Sequence, residues 1–409
     1  MLLGNAALLR HPARPRGRKA DDSMTPRTIA ARFDDLRSGT AWEFPRVANT
    51  MVATRPEQVA PVLAELERAT TNGWWAFGFV SYEAASGLDP KLTTHQPLDG
   101  LPLVWFGVCQ EPSVVRVVRC PEPGSYDVGG WATEWGPETH RERVEAVRRH
   151  IAAGETYQCN LTTRMSGEAK GELPAFYADL ALGQKGSYNA YLDLGRFVVA
   201  SASPELFFEI RDELVHMRPM KGTAPRGDTP AEDARIVAEL RASAKERAEN
   251  IMIVDLVRND LARIATTGSV RVPSLCRAEQ YETVHQLTSD VTAGLRPDAG
   301  LADVFRALFP CGSVTGAPKQ RTMEIIRDLE DGPRGLYCGA VGMVAPAGAP
   351  FRARFSVAIR TVLIDRDTGV ATYGTGGGIT WGSEPSAEYA ELQAKAEVLM
   401  RCLRPGVPG

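Results

Sequence analysis

The stretch "FRARFSVAIRTVLIDRDTGVATYGTGGGI", residues 351 to 379, reads as two apolar, β-branched runs folded back on each other at "DRDTG" (365–369). Asp and Gly supply the turn, and the flanking Val, Ile, Thr and Tyr supply the strands. A hairpin is antiparallel, and an antiparallel pair here argues against the regular strand–helix–strand spacing of a doubly wound protein. The fold class expected from it is α+β with a large sheet.

Working outward, the chain alternates strands and helices unevenly. "LDLGRFVVASASPELFFEI" (192–210) reads as strand, turn, strand. "TPAEDARIVAELRASAKERAENIMIVDLVRNDLARIA" (229–265) reads as one long helical region opened by Thr229 and Pro230 at N-cap and N1 positions. "SEPSAEYAELQAKAEVLMRCL" (383–403) is a final helix, and "GPETHRERVEAVRRHIAAGETYQCNLTTRM" (136–165) is helix, Gly turn, strand. Residues 28–125 mix short strands with a helix, "PEQVAPVLAELERAT" (56–70), whose apolar residues recur at three- and four-residue spacing. The Pro- and Gly-rich "CPEPGSYDVGGW" (120–131) marks a boundary or long loop. No internal repeat is visible, which excludes solenoids and propellers.

Composition excludes whole classes of function. The 409 residues are 44% hydrophobic and 24% charged, with a net charge of −3. That balance predicts a soluble globular chain and makes no electrostatic case for nucleic acid or a membrane surface. No apolar run is long enough to span a bilayer. Seven scattered cysteines, odd in number and without a C-x-x-C pair, point to a reducing, cytoplasmic compartment. Residues 1–27 have their apolar stretch before the basic cluster, the reverse of a secretory signal, and are expected to be a disordered tail with Met24 as a possible start.

Four features carry chemistry. In "HMRPMKGTAPRG" (216–227) Lys221 stands among prolines, glycines and small apolar residues, where a lysine either reaches water or loses proton affinity and becomes a nucleophile. Glu246 and Glu249, and again Glu388 and Glu391, lie three apart on helices, with Lys395 one turn after the second pair. Each pair is either a solvated helix face or half of a site for a hard divalent cation. In "FPCGSVTGAPKQRTMEII" (309–326) Gly312, Ser313, Thr315 and Gly316 precede a helix whose N–H groups could receive a carboxylate. "YGTGGGI" (373–379) lets a ligand approach main chain at a strand end, but is neither a P-loop nor a dinucleotide fingerprint.

The motifs "SPELF", "RPMKGTAPRG", "KERAENIMIVDLVRNDLARI", "YETVHQLTSDV", "GSVTGAPK", "RGLYCGAVG", "VAIRT" and "GTGGGI…EYAE" occur in an order that resembles the chorismate-utilising enzymes. That family includes anthranilate synthase component I, aminodeoxychorismate synthase component I, isochorismate synthase and salicylate synthase. The resemblance covers residues 135–405 as a catalytic domain, with 28–125 as an N-terminal region whose "GFVSYEAASGLDP" (78–90) is similar to the aminodeoxychorismate branch. It implies two stacked sheets with surrounding helices. It also implies that Glu246, Glu249, Glu388 and Glu391 surround a Mg²⁺ gripping the ring carboxylate of chorismate.

By the same resemblance Glu205 is the general acid for the departing 4-hydroxyl, with His285 near that hydroxyl. Tyr337 and Arg360 hold the enolpyruvyl carboxylate, and Gly222, Thr223, Thr315, Gly376, Gly378 and Lys395 line the pocket. Gln158 stands where isochorismate and salicylate synthases carry a water-activating lysine, and glutamine is no general base. Lys221 stands where anthranilate synthases have alanine. The resemblance therefore implies amination at carbon 4 through a covalent lysine intermediate, with anthranilate synthase component I as the alternative.

Other rivals are a scaffold that kept the fold without activity and a metal-binding structural protein, which would have no use for "PMKGT". Departures are small: Cys311 replaces a usual glycine, and Asn250 a histidine frequent in anthranilate synthases. No tryptophan-binding motif is evident, so no tryptophan inhibition is expected. Nor do the 409 residues contain a recognisable glutaminase or lyase domain. The expected partner is a glutaminase subunit that feeds ammonia.

Overall fold

The computed structural model describes residues 30–402 except 45, 282 and 283, so the expected tail and Met24 lie outside the described residues. Among the described residues two ten-stranded antiparallel sheets stack face to face. The first sheet runs in the order Gly316–Ala317, Gln158–Gly171, Val370–Ile379, Thr361–Asp365, Phe197–Ser203, Tyr188–Asp193, Ala31–Asp35, Thr40–Phe44, Ser113–Arg116, with Tyr126–Thr133 paired to Gln158–Gly171. The second runs Met220–Pro225, Val284–Gly294, Leu214–Arg218, Leu206–Arg211, Ala353–Val357, Ala340–Val344, Trp75–Val80, Val104–Cys109, Asn49–Ala53, with Arg271–Gln280 on Val284–Gly294. Strands from 31–116 thus extend both sheets and form no layer of their own.

Burial on two faces explains the sequence of the central strands. In Trp75–Val80 every residue is buried. Trp75, Phe77 and Phe79 point between the sheets, with Phe33, Phe44, Leu192 and Val199 opposite. Ala76 and Val80 face the other way, into a core shared with the helix Pro56–Thr71 through Val59, Leu63 and Leu66. A strand that meets apolar partners on both faces carries a continuous apolar run instead of an alternating one. The outer face of the first sheet is covered by Leu173–Gln184, whose Phe176, Tyr177 and Leu180 meet Val198, Ala200 and Tyr373.

The long helical region expected at 229–265 is two helices, Pro230–Ala242 and Ala244–Ala262. The physical cause of the break is Ser243, which leaves helical geometry and accepts a hydrogen bond from Glu246 N at 3.3 Å. Thr229 and Pro230 take the cap and first positions as expected, with Thr229 Oγ1 accepting from Glu232 N. The hairpin turn at 365–369 is present between Thr361–Asp365 and Val370–Ile379. The first run of the opening stretch, however, divides at 358–360. Ala353–Val357 belongs to the second sheet and Thr361–Asp365 to the first.

A second crossing lies beside it. Phe197–Ser203 is in the first sheet and Leu206–Arg211 in the second, with Pro204 and Glu205 between. Hydrogen bonds lock the two crossings together, Val357 N to Glu205 O at 3.1 Å and Ala202 N to Arg360 O at 3.0 Å. Glu205 and Arg360 are thereby fixed at the seam where the sheets part. No helix among the described residues is long and apolar enough to cross a membrane.

Candidate active site

A cavity of about 520 Å³ opens at this seam. Strand Met220–Pro225 brings Lys221, Gly222 and Thr223 to it, and Val370–Ile379 brings Gly376 and Gly378. Helix Ala244–Ala262 packs on Met220–Pro225 and Val284–Gly294 of the second sheet, whereas Pro385–Cys402 packs on Val370–Ile379 of the first. Glu246 and Glu249 therefore enter from one layer and Glu388 and Glu391 from the other, and all four line the same cavity.

Each charge has a readable environment. Glu205 is 2% exposed, and burial pushes its carboxyl up to about 7 although Ser313 Oγ donates to Oε1 at 2.6 Å. Lys221 makes no ion pair among the described residues. Burial lowers its pKa, and the charge of Lys395 adds to the effect against the pull of Glu249, Glu205 and Glu391. Burial raises the pKa of Glu246, Glu249 and Glu388. Burial is the largest effect on Glu391 too, but Lys395 at 2.8 Å together with the charges of Lys221 and Lys245 outweighs it, and the pKa is lowered. Lys395 also donates to Gly376 O at 2.8 Å, which ties helix to strand.

Arg360 adopts a left-handed backbone, φ 50°, and its guanidinium donates to Gln184 Oε1. No carboxylate pairs with it among the described residues, so a cation faces the cavity with room for an anion. A non-glycine residue held at positive φ is strained, and such strain concentrates at functional sites. Tyr337 lines the same end, its ring against Gly374, where an added β-carbon would fall 2.1 Å from the ring.

On the strand that carries Gly376, a β-carbon on Gly378 would lie 2.6 Å from Lys221 Nζ and 2.6 Å from Gln158 Nε2. The glycine is what lets the two side chains stand together. Gln158 is fully buried, and neither end of its amide has a hydrogen-bond partner. A buried amide in that condition is costly unless something polar comes to it.

Three expected site residues are not in the cavity lining: Gln158, which is buried behind Gly378, His285 and Thr315. His285 does not line the cavity, because on an extended strand its neighbours Val284 and Gln286 take the inward face. Its Nε2 bonds Asp233 Oδ1 at 2.7 Å instead. Thr315 is fully buried and donates its hydroxyl to Cys311 O at 3.0 Å, so Ser313 and Val314 present that turn to the cavity. Sequence reasoning missed Ser313 as partner of Glu205, Gln184 as partner of Arg360, and Lys245, Asn160 and Gln286 in the lining. Period-two alternation along 284–294 was the signal that could have exchanged His285 for Gln286.

The acidic wall suits a hard divalent cation in donor chemistry, since all its ligands are carboxylate oxygens and three of the four carboxyls are strained by burial. Among the described residues, no three acidic, histidine or cysteine side chains gather closely enough to hold a metal ion in this arrangement.

Residues 118–401 match the family described as chorismate binding enzyme. Aminodeoxychorismate synthase of Streptomyces griseus is 43% identical over 71% of this chain and 40% of that protein. Aminodeoxychorismate synthase component 1 of Escherichia coli is 37% identical over 67% of this chain and 59% of its own. Anthranilate synthase component 1 of Streptomyces coelicolor is 38% identical over 71% and 56%. The chain thus spans roughly 40 to 60% of the length of these relatives. A solved anthranilate synthase component I from Streptococcus pneumoniae superposes with a TM-score of 0.74 at 24% identity, covering 96% of each chain, and shares the fold.

Proposed function

The chain belongs to the chorismate binding enzyme family, and from that premise we propose that it is the ammonia-using component of an aminodeoxychorismate synthase. It converts chorismate to 4-amino-4-deoxychorismate with ammonia supplied by a separate glutaminase subunit, in the reducing cytoplasm that its free cysteines suit. The observation that carries this reading is Lys221, an amine with lowered proton affinity, in one cavity with a carboxyl that burial keeps protonated near neutrality.

In this reading Arg360 and Tyr337 receive the enolpyruvyl carboxylate. Glu246, Glu249, Glu388 and Glu391 would hold a Mg²⁺, which when bound supplies positive charge for the ring carboxylate. Lys221 Nζ forms a bond to ring carbon 2, both conjugated ring double bonds shift by one bond toward carbon 4, and the carbon 4–oxygen bond breaks. Glu205 protonates the departing oxygen, which leaves as water. Ammonia then bonds to carbon 4, both double bonds shift back, the bond to Lys221 breaks to release the neutral amine, and the new ammonium returns a proton to Glu205. Gln158, beside Lys221, offers no base that could deliver water to carbon 2.

The variant Lys221→Ala tests this directly. Ammonia-dependent amination at carbon 4 is expected to fall by at least about a thousandfold, while calorimetry with Mg²⁺ still detects chorismate binding. Undiminished 4-amination in the variant refutes the nucleophile.

A further inference from the structure

Behind the cavity wall lies a buried group that the reaction above does not use. Arg334 is 6% exposed and spends its guanidinium on main chain as well as on a carboxylate. Nη1 donates to Val314 O at 2.7 Å and Nη2 to Asn160 O at 2.7 Å. Nε and Nη2 hold Glu330 at 2.9 and 2.6 Å. Glu330 is itself pinned by Thr162, through N at 2.9 Å and Oγ1 at 2.8 Å.

The two carbonyls belong to neighbouring segments of the wall, joined by Asn160 N donating to Thr315 O at 2.7 Å. Asn160 is on the strand Gln158–Gly171, and Val314 follows Ser313, the donor to Glu205. From the far side the ring of Tyr82 stacks 4.6 Å from the guanidinium carbon, and Glu83 Oε1 accepts from Arg334 N at 2.8 Å. Tyr82 and Glu83 lie in "GFVSYEAASGLDP", the N-terminal segment to which the reaction assigns no part.

We infer that Arg334 is a positioning residue that fixes Ser313 against Glu205, and that Tyr82 and Glu83 hold Arg334 in place. The inference rests on the reading of Glu205 as the acid. A buried ion pair alone is weak evidence of anything beyond packing. What distinguishes this one is the planar fork that reaches two carbonyls and a carboxylate at once, which lysine cannot reproduce. If the fork is lost, Val314 and with it Ser313 are freed, and the hydrogen bond that favours the Glu205 carboxylate weakens.

The test follows the carboxyl carbon of Glu205 by NMR in the full chain carrying ¹³C-labelled glutamate, the resonance identified by its loss in Glu205→Gln. Arg334→Lys is expected to raise the titration midpoint by about one pH unit. It should also lower the amination rate by about ten- to a hundredfold, with KM for chorismate within about twofold. Ser313→Ala should give the same shift, and Arg334→Lys added to it should give no more. A folded Arg334→Lys protein with the original midpoint, or shifts that add in the double variant, overturns the inference. Should Arg334→Lys not fold, Glu330→Gln loosens the same guanidinium. Its expected shift of about half a unit must vanish in the Ser313→Ala background, and an unmoved midpoint overturns the inference there. Absence of amination by the unaltered protein would sink the acid reading alone, since the titration still decides the role of Arg334.

Discussion

At the scale of the residue, the proposed chemistry rests on two groups whose environments push them against habit. Burial disfavours charge on both Glu205 and Lys221, raising the pKa of the acid to about 7 and lowering that of the amine. In the proposed role Glu205 acts protonated, and with its pKa raised to about 7 the active fraction is half at that pH, nearly complete a unit or more below it and declining above. At fixed free ammonia, the amination rate should therefore fall about tenfold per pH unit well above that value. Glu205→Gln should abolish that limb along with most of the rate, and a limb that survives the substitution would assign it to another group.

At the scale of the element, capping and register decide what reaches the cavity. Ser243 starts the helix that carries Glu246 and Glu249, so Ser243→Ala should cost about 1 kcal/mol in urea unfolding. Ser243→Asp should recover it, and equal stabilities for Ser243→Ala and the unaltered protein would remove the cap from the account. The Glu246/Glu249 and Glu388/Glu391 spacings and the turn at 365–369 were legible because they are local. The break at Ser243 was signalled by a serine three residues before a glutamate but was masked by helix-favouring neighbours. His285 was misplaced because a motif was followed where strand alternation would have pointed to Gln286.

At the scale of the whole molecule, the site exists because the chain changes sheets twice at adjacent points, 204–205 and 358–360. Nothing local in "SASPELF" or "SVAIRTV" announces that, since each strand there has one neighbour close in sequence and its other more than a hundred residues away. The α+β class and the stacking of sheets were legible from hairpin geometry and the family motifs. The participation of 31–116 in both sheets was not. In the proposed Mg²⁺ site the four carboxylates would come from both layers, which a tightly packed sandwich core would hold in fixed relation.

The measurement that bears most directly on the central claim is product identity. The protein, with chorismate, Mg²⁺ and an ammonium salt at mildly alkaline pH, is analysed by chromatography and mass spectrometry. The account predicts 4-amino-4-deoxychorismate, lost on addition of EDTA. Fluorescent anthranilate with pyruvate would contradict it, because carbon 2 would then be open to ammonia despite Lys221.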